Sequence, residues 1–98
     1  MTHAAPASLL TIFGATGDLA RRMLLPSLYS LQAEHLLPAN LRILGTARSE
    51  LDREGFANIV SASINERIPA AERNDAALRG LLDRLDYASV GLSPLIRA

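Results

Sequence analysis

Two glycines and one arginine carry the chemistry that this sequence can do. Gly14-Ala-Thr-Gly17 follows the short apolar run Leu9, Leu10, Ile12, Phe13 and opens directly into a helical pattern that begins Asp18-Leu-Ala-Arg-Arg. Glycine permits backbone angles closed to other residues and lets a ligand approach the main chain, while the unpaired N–H groups that start a helix attract an anion such as phosphate. The candidate cradle therefore comprises Gly14, Ala15, Thr16, Gly17, Asp18, Leu19, Ala20 and Arg21. Its spacing, Gly-x-x-Gly-x-x-Ala, meets the dinucleotide fingerprint Gly-x-Gly-x-x-Gly only in part, with Ala20 where a third small residue allows close helix and strand packing. The same spacing also suits a tight strand-to-helix connection that holds no ligand. Asp18 reads as a first-turn carboxylate that complements the helix dipole, not as a catalytic acid.

Arg48 closes a second apolar run, Leu41-Arg-Ile-Leu-Gly-Thr-Ala-Arg48. A strand, a helix and a parallel strand joined by a right-handed crossover bring the end of the second strand beside the glycine turn of the first. Sites for NAD commonly place a carboxylate there for the ribose hydroxyl, whereas NADP requires a cation for the 2′-phosphate. The planar fork of an arginine suits that phosphate, with Thr16 and Ser49 as neutral donors beside it. The alternative is a solvated arginine paired with Glu50 or Asp52.

The elements that must position these residues follow from periodicity. A helix is predicted over residues 17–35, with Ala20, Leu24, Ser27, Leu28 and Leu31 on its core stripe and a kink near Arg22 to Leu25, because Pro26 has no amide hydrogen to offer the Arg22 carbonyl. Ser49-Glu-Leu-Asp52 resembles a capping box, and Phe56, Ile59, Val60, Ser63 and Ile64 form one face of the next helix. Pro69 divides that helix from another, whose buried stripe is Leu78, Leu81, Leu82 and Leu85, while Glu72, Arg73, Asp75, Arg79, Asp83 and Arg84 read as a solvated face. Asp86 to Leu92 reads as a third strand. The prediction is a parallel sheet in the order 3-2-1, with strands near residues 8–14, 41–47 and 86–91 in the pattern β-α-β-α-α-β.

Composition narrows the partners. The 98 residues, 49% hydrophobic and 20% charged, suit one small globular domain. Ten arginines balance ten acids without lysine or any basic block, so binding to nucleic acid by bulk electrostatics is excluded. Absence of cysteine removes disulfides and thiolate metal sites, and no run approaches the roughly 20 apolar residues of a membrane span. A soluble cytoplasmic protein is expected, with no metal ligands and no membrane partner. His3, in the leader, and His35, at a helix end, are expected to take no part in catalysis.

Read from Gly14-Ala-Thr-Gly-Asp-Leu-Ala through Met23-Leu-Leu-Pro26 to Leu31, and on to Gly45-Thr-Ala-Arg48, the sequence resembles the N-terminus of glucose-6-phosphate dehydrogenase. The resemblance implies a truncated α/β unit, a Rossmann-like parallel sheet with helices packed on it. Residues 1–98 would be the N-terminal part of an NAD(P)-binding domain, with the catalytic and substrate domain absent from this chain. It implies NADP as cofactor, with NAD as a second option, for oxidation of glucose 6-phosphate to 6-phosphogluconolactone in the pentose phosphate pathway. Glucose 6-phosphate is a partner only in a full-length enzyme, and a homo-oligomer is one assembly open to it. Many relatives carry a lysine with a role near the substrate where this chain has Met23, and the histidine-containing substrate segment has no counterpart here. The fragment alone is therefore expected to be inactive and to contain no catalytic residue. The competing readings are a non-catalytic nucleotide-binding module and a ligand-free structural remnant.

Overall fold

The first apolar run forms β1 (Ser8–Phe13), the second β2 (Leu41–Ala47), and β3 spans Leu85–Ser89; the computed structural model describes residues 8–90. All three strands are parallel in the order β1-β2-β3, with Ile12 opposite Gly45 and Gly45 opposite Tyr87. This is the expected topology, and it gathers the C-terminal ends of the strands at the glycine turn. The third strand starts one residue earlier than expected. Gly91 and Leu92 of that expected strand, like His3, lie outside the described residues.

The first helix departs from expectation in an informative way. Ala20–Leu24 is a π-helical turn, closed by the Leu25 N–H donating to the Ala20 carbonyl five residues back, and it runs without a break into α1 (Leu25–Ala33). Pro26 cannot bond the Arg22 carbonyl, and widening the preceding turn by one residue relieves its ring from that oxygen. The extra residue rotates the stripe. Leu25, Leu28 and Tyr29 are buried, whereas Leu24, Ser27 and Leu31, expected in the core, are exposed.

The helix ends in a Schellman motif, with the Leu36 N–H donating to the Leu31 carbonyl at 2.9 Å and the His35 N–H to that of Gln32 at 3.0 Å. His35 occupies the left-handed position at φ 58°, where a side chain is strained and glycine is not. His35→Gly is therefore expected to stabilise the fold by about 0.5–1 kcal/mol, a rise of a few degrees in thermal midpoint. A fall in the midpoint would show that the imidazole's interaction with the helix terminus outweighs the strain.

Asp52 itself caps α2 (Arg53–Arg67), its Oδ1 accepting from the Gly55 N–H at 2.7 Å. The capping box that placed Ser49 at the cap does not form, because the Ser49 hydroxyl faces Thr16 instead and the chain stays non-helical through Leu51. Phe56, Val60, Ser63 and Ile64 are buried as the periodicity predicts. A short 3-10 turn (Ala70–Glu72) follows Pro69, and Asn74 caps α3 (Asp75–Leu82) by accepting from the Ala76 and Ala77 N–H groups. Leu85 is buried as the first residue of β3, not as part of the helical stripe.

Arg84 is not part of a solvated face. Its Nε donates to Gln32 Oε1 at 2.7 Å, and its Nη1 to the carbonyls of Pro38 and Leu41 at 2.6 and 3.0 Å, tying the end of α1 and the start of β2 to β3. Arg53 does similar work from α2, donating to the carbonyls of Leu85 and Leu82 at 2.6 and 3.1 Å. These donors reach carbonyls at the starts of β2 and β3, at the end of α3 and in the loop before β2.

The three helices touch one another and lie on one face of the sheet, where Ile12, Ile43, Gly45 and Leu85 meet Leu25, Phe56, Val60, Ile64 and Leu81. By strand alternation the opposite face carries Leu9, Thr11, Phe13, Leu44 and Thr46.

Candidate functional site

Gly14 turns the chain out of β1 with φ +67°, and a side chain there would meet nothing within 4 Å, so the outer side of the turn is open. The inner side is pinned. Ala15 is fully buried and its N–H donates to the Thr46 carbonyl at 3.0 Å, while Thr46 Oγ1 donates to the Ile12 carbonyl at 3.3 Å. The turn closes when the Gly17 N–H donates to the Gly14 carbonyl at 2.9 Å; a Cβ on Gly17 would stand 3.1 Å from that same oxygen. The first helical bond runs from the Arg21 N–H to the Gly17 carbonyl at 3.1 Å. Ahead of it the N–H groups of Asp18, Leu19 and Ala20 carry no backbone bond among the described residues, leaving donors at the positive end of a helix for an anion.

The end of β2 lies beside this turn. Thr16 Oγ1 and Ser49 Oγ are 3.2 Å apart, which joins the glycine turn to the segment that carries Arg48. Tyr87 holds that segment from beneath, its hydroxyl donating to the Ser49 carbonyl at 2.6 Å and its ring tilted 37° against Phe56 at 5.3 Å. Arg48 is exposed, and among the described residues its guanidinium has neither a hydrogen bond nor an ion pair. The pairing with Glu50 or Asp52 weighed from the sequence is not formed, and Asp52 is committed to its cap.

The remaining candidates are placed less centrally. Asp18 pairs with Arg22 at 3.0 Å across one exposed helical turn, an interaction worth only a few tenths of a kcal/mol. Arg21 lines a polar cavity of about 280 Å³ with Arg22, Ser63, Glu66 and Arg67, on the side of the helix that faces α2. Leu19 and Met23 are exposed. Sequence reasoning missed Tyr87 and Phe56 as supports of the site. A glycine inside a strand, Gly45, was the available signal, since it marks a close approach by another group; a Cβ there would lie 2.5 Å from Phe56 Cζ.

Backbone donors, two facing hydroxyls and a guanidinium without a partner among the described residues can hold a phosphorylated ligand and orient it. The open turn fits a dinucleotide, since side chains at Gly14 and Gly17 would otherwise fill or distort the approach.

The sequence matches, over residues 11–94, the family model described as the NAD binding domain of glucose-6-phosphate dehydrogenase. Glucose-6-phosphate 1-dehydrogenase of Zymomonas mobilis is 43% identical over 86 residues, covering 88% of this chain and 18% of the relative. That of Dickeya dadantii is 44% identical over 92 residues, covering 92% of this chain and 18% of the relative. Among solved structures, the Mycobacterium avium enzyme superposes with a TM-score of 0.76 at 32% identity, covering 92% of this chain and 19% of that one. A glucose-6-phosphate dehydrogenase in complex with its substrate glucose 6-phosphate gives 0.77 at 30% identity, covering 93% of this chain and 18% of that one. The chain thus spans less than a fifth of the length of each of these proteins.

Proposed function

The chain belongs to the glucose-6-phosphate dehydrogenase family, and from that premise we propose that it is the N-terminal part of a nicotinamide-dinucleotide-binding domain with NADP as its preferred cofactor. The pyrophosphate lies against the Gly14 to Arg21 turn and takes the N–H groups of Asp18, Leu19 and Ala20. Arg48 meets the 2′-phosphate, with Thr16 and Ser49 as neutral donors. NADP, when bound, accepts the hydride released in oxidation of glucose 6-phosphate to its lactone. This chain binds and orients; the substrate contacts and the proton-accepting base belong to the part of the dehydrogenase fold outside the matched segment, so the chain by itself is inactive. The setting is the cytoplasmic pentose phosphate pathway.

One observation carries the reading: among the described residues Arg48 has no partner, and it stands beside the Thr16–Ser49 contact, at the strand end where a dinucleotide's ribose is recognised. Calorimetric titration of the chain with NADP is expected to saturate in the micromolar range, and absence of saturation up to millimolar cofactor would favour a structural remnant. A charge-assisted bond contributes roughly 1.5–3 kcal/mol, so Arg48→Ala should weaken NADP by about ten- to a hundredfold and change NAD much less. Glu50→Gln is the control, leaving NADP unchanged or slightly tighter. Equal losses for the two cofactors at one salt concentration would remove Arg48 from the 2′-phosphate.

A further inference from the structure

We propose that the Tyr87 hydroxyl is a positioning group through which this site selects NADP over NAD, because it fixes the backbone that carries Arg48. The inference rests on the cofactor reading above and adds to it a residue that touches no ligand. At the end of β2 the Ala47 carbonyl accepts from the Val90 N–H at 2.8 Å, and the next fixed point along the chain is the Asp52 cap of α2. Between them, residues 48–51 make no backbone–backbone hydrogen bond among the described residues. Two side chains fasten the segment instead, and both meet Ser49. Thr16 Oγ1 stands 3.2 Å from the Ser49 hydroxyl, and the Tyr87 hydroxyl donates to the Ser49 carbonyl at 2.6 Å. The two fastenings respond differently to an anion. A phosphate competes for the Thr16 and Ser49 hydroxyls, which can both donate to it, whereas a carbonyl offers an anion nothing and keeps its bond to Tyr87.

Tyr87 can hold the segment because it is itself held. It stands opposite Gly45 in the ladder, and strand alternation sets its ring on the helix-bearing face with Leu85. There the ring tilts 37° against Phe56 at 5.3 Å, and Phe56 is fully buried in the room that Gly45 leaves. The Ser49 carbonyl is thereby turned to Tyr87 and kept from presenting its partial negative charge to a phosphate. Arg48 gains most from this. Its long side chain gives up rotamer freedom when it closes on a phosphate, and a mobile backbone beneath it would add to that loss. NAD has no 2′-phosphate, makes no call on Arg48 and gains little from the clamp.

Calorimetric titrations of the full chain with NADP and NAD, at one salt concentration, test this in the parent, Tyr87→Phe, Arg48→Ala and the double variant. Phenylalanine keeps the ring against Phe56 and removes only the donor, so the variant should stay folded, which its thermal midpoint reports. Tyr87→Phe is expected to weaken NADP about three- to tenfold and NAD by less than about twofold. On the Arg48→Ala background the same change should make no further difference to NADP, since a positioning residue acts only through the residue that it positions. A purely structural role would lower the midpoint and move the two cofactors alike or not at all, and either result overturns the proposal. A loss that persists undiminished in the double variant overturns it too. Should Tyr87→Phe unfold, the four titrations are run in trimethylamine N-oxide, which favours the folded state, and the same ratios decide. Failure of the cofactor reading has a different signature: a parent that binds NADP no more tightly than NAD, or an Arg48→Ala variant that keeps the preference, takes this inference down with that reading. A preference lost in Arg48→Ala but kept in Tyr87→Phe leaves the reading standing and removes Tyr87 from it.

Discussion

Valine at position 17 is expected to abolish measurable NADP binding, moving the dissociation constant by at least about a hundredfold, while far-ultraviolet circular dichroism keeps its helical signal. A Cβ on Gly17 stands 3.1 Å from the Gly14 carbonyl, and that oxygen already accepts the Gly17 N–H at 2.9 Å. The obstacle is backbone, held by the Ala15 bond to Thr46, so it cannot swing aside as a flexible side chain would. Two further methyl groups on the branched side chain either force the turn open or stand in the phosphate approach. Either way the N–H groups of Asp18, Leu19 and Ala20 lose their common target. The helix itself survives, because its packing rests on Leu25, Leu28 and Tyr29, about two to three turns further on. Gly17→Ala should be intermediate, since a lone Cβ at this separation requires a shift of only a few tenths of an ångström. Unchanged affinity in the valine variant would remove the turn as the pyrophosphate site.

Gly45→Ala is expected to cost about 2–3 kcal/mol of folding stability, a large share of what a domain this small possesses. The added Cβ would fall 2.5 Å from Phe56 Cζ, 2.7 Å from its Cε2 and 3.0 Å from the Ala15 Cβ. Phe56 is fully buried and packed against Tyr87, so the ring can yield only by displacing other core atoms. Strain here should also reach the site, because Ala15 carries the glycine turn and Tyr87 holds Ser49. NADP affinity should therefore fall together with the urea midpoint. A Phe56→Leu change in the same chain, by vacating the contested space, should leave the double variant less destabilised than the sum of the two single changes. Gly80→Ala is the contrast. Its Cβ would meet the Gln32 Nε2 at 2.7 Å, an amide that can shift only at the expense of the Arg84 bond to its Oε1, and the gain in helix propensity offsets part of that cost, so the net loss should be about 1 kcal/mol or less. A Gly45→Ala variant as stable as its parent would refute the close-packed account of the turn.

The strands, their parallel order and the glycine turn were legible in the sequence, because they depend on local signals: apolar runs of strand length, a pair of glycines and a proline. Family resemblance at Gly14 to Leu31 and at Gly45 to Arg48 added the cofactor class. What escaped were consequences of distance and rotation. Pro26 announced a kink, but not that the kink would be a π-helical turn, whose one added residue exchanges Leu24 and Leu31 for Leu25 and Tyr29 in the core. A capping pattern is read over four residues, and Ser49-Glu-Leu-Asp52 satisfied it; a hydroxyl contact with Thr16, 33 residues away, drew Ser49 elsewhere and left Asp52 as the cap. Arg84 looked solvated because its charge was visible and its partners were not.

By itself, then, the sequence determined the alternation of strands and helices, the glycine turn at Gly14 to Gly17, and the cation at position 48, since side-chain periodicity and backbone freedom are properties of neighbouring residues. Only the tertiary structure decided that Arg48 stands free of Glu50 and Asp52, that Thr16 and Ser49 face each other, and that Ala15, Gly45 and Phe56 brace the turn from below. Those facts depend on which elements meet across the sheet. The crossover through α1 sets the end of β2 against the glycine turn, and a lone pair or a methyl group is then satisfied or excluded by atoms that no local pattern places within reach.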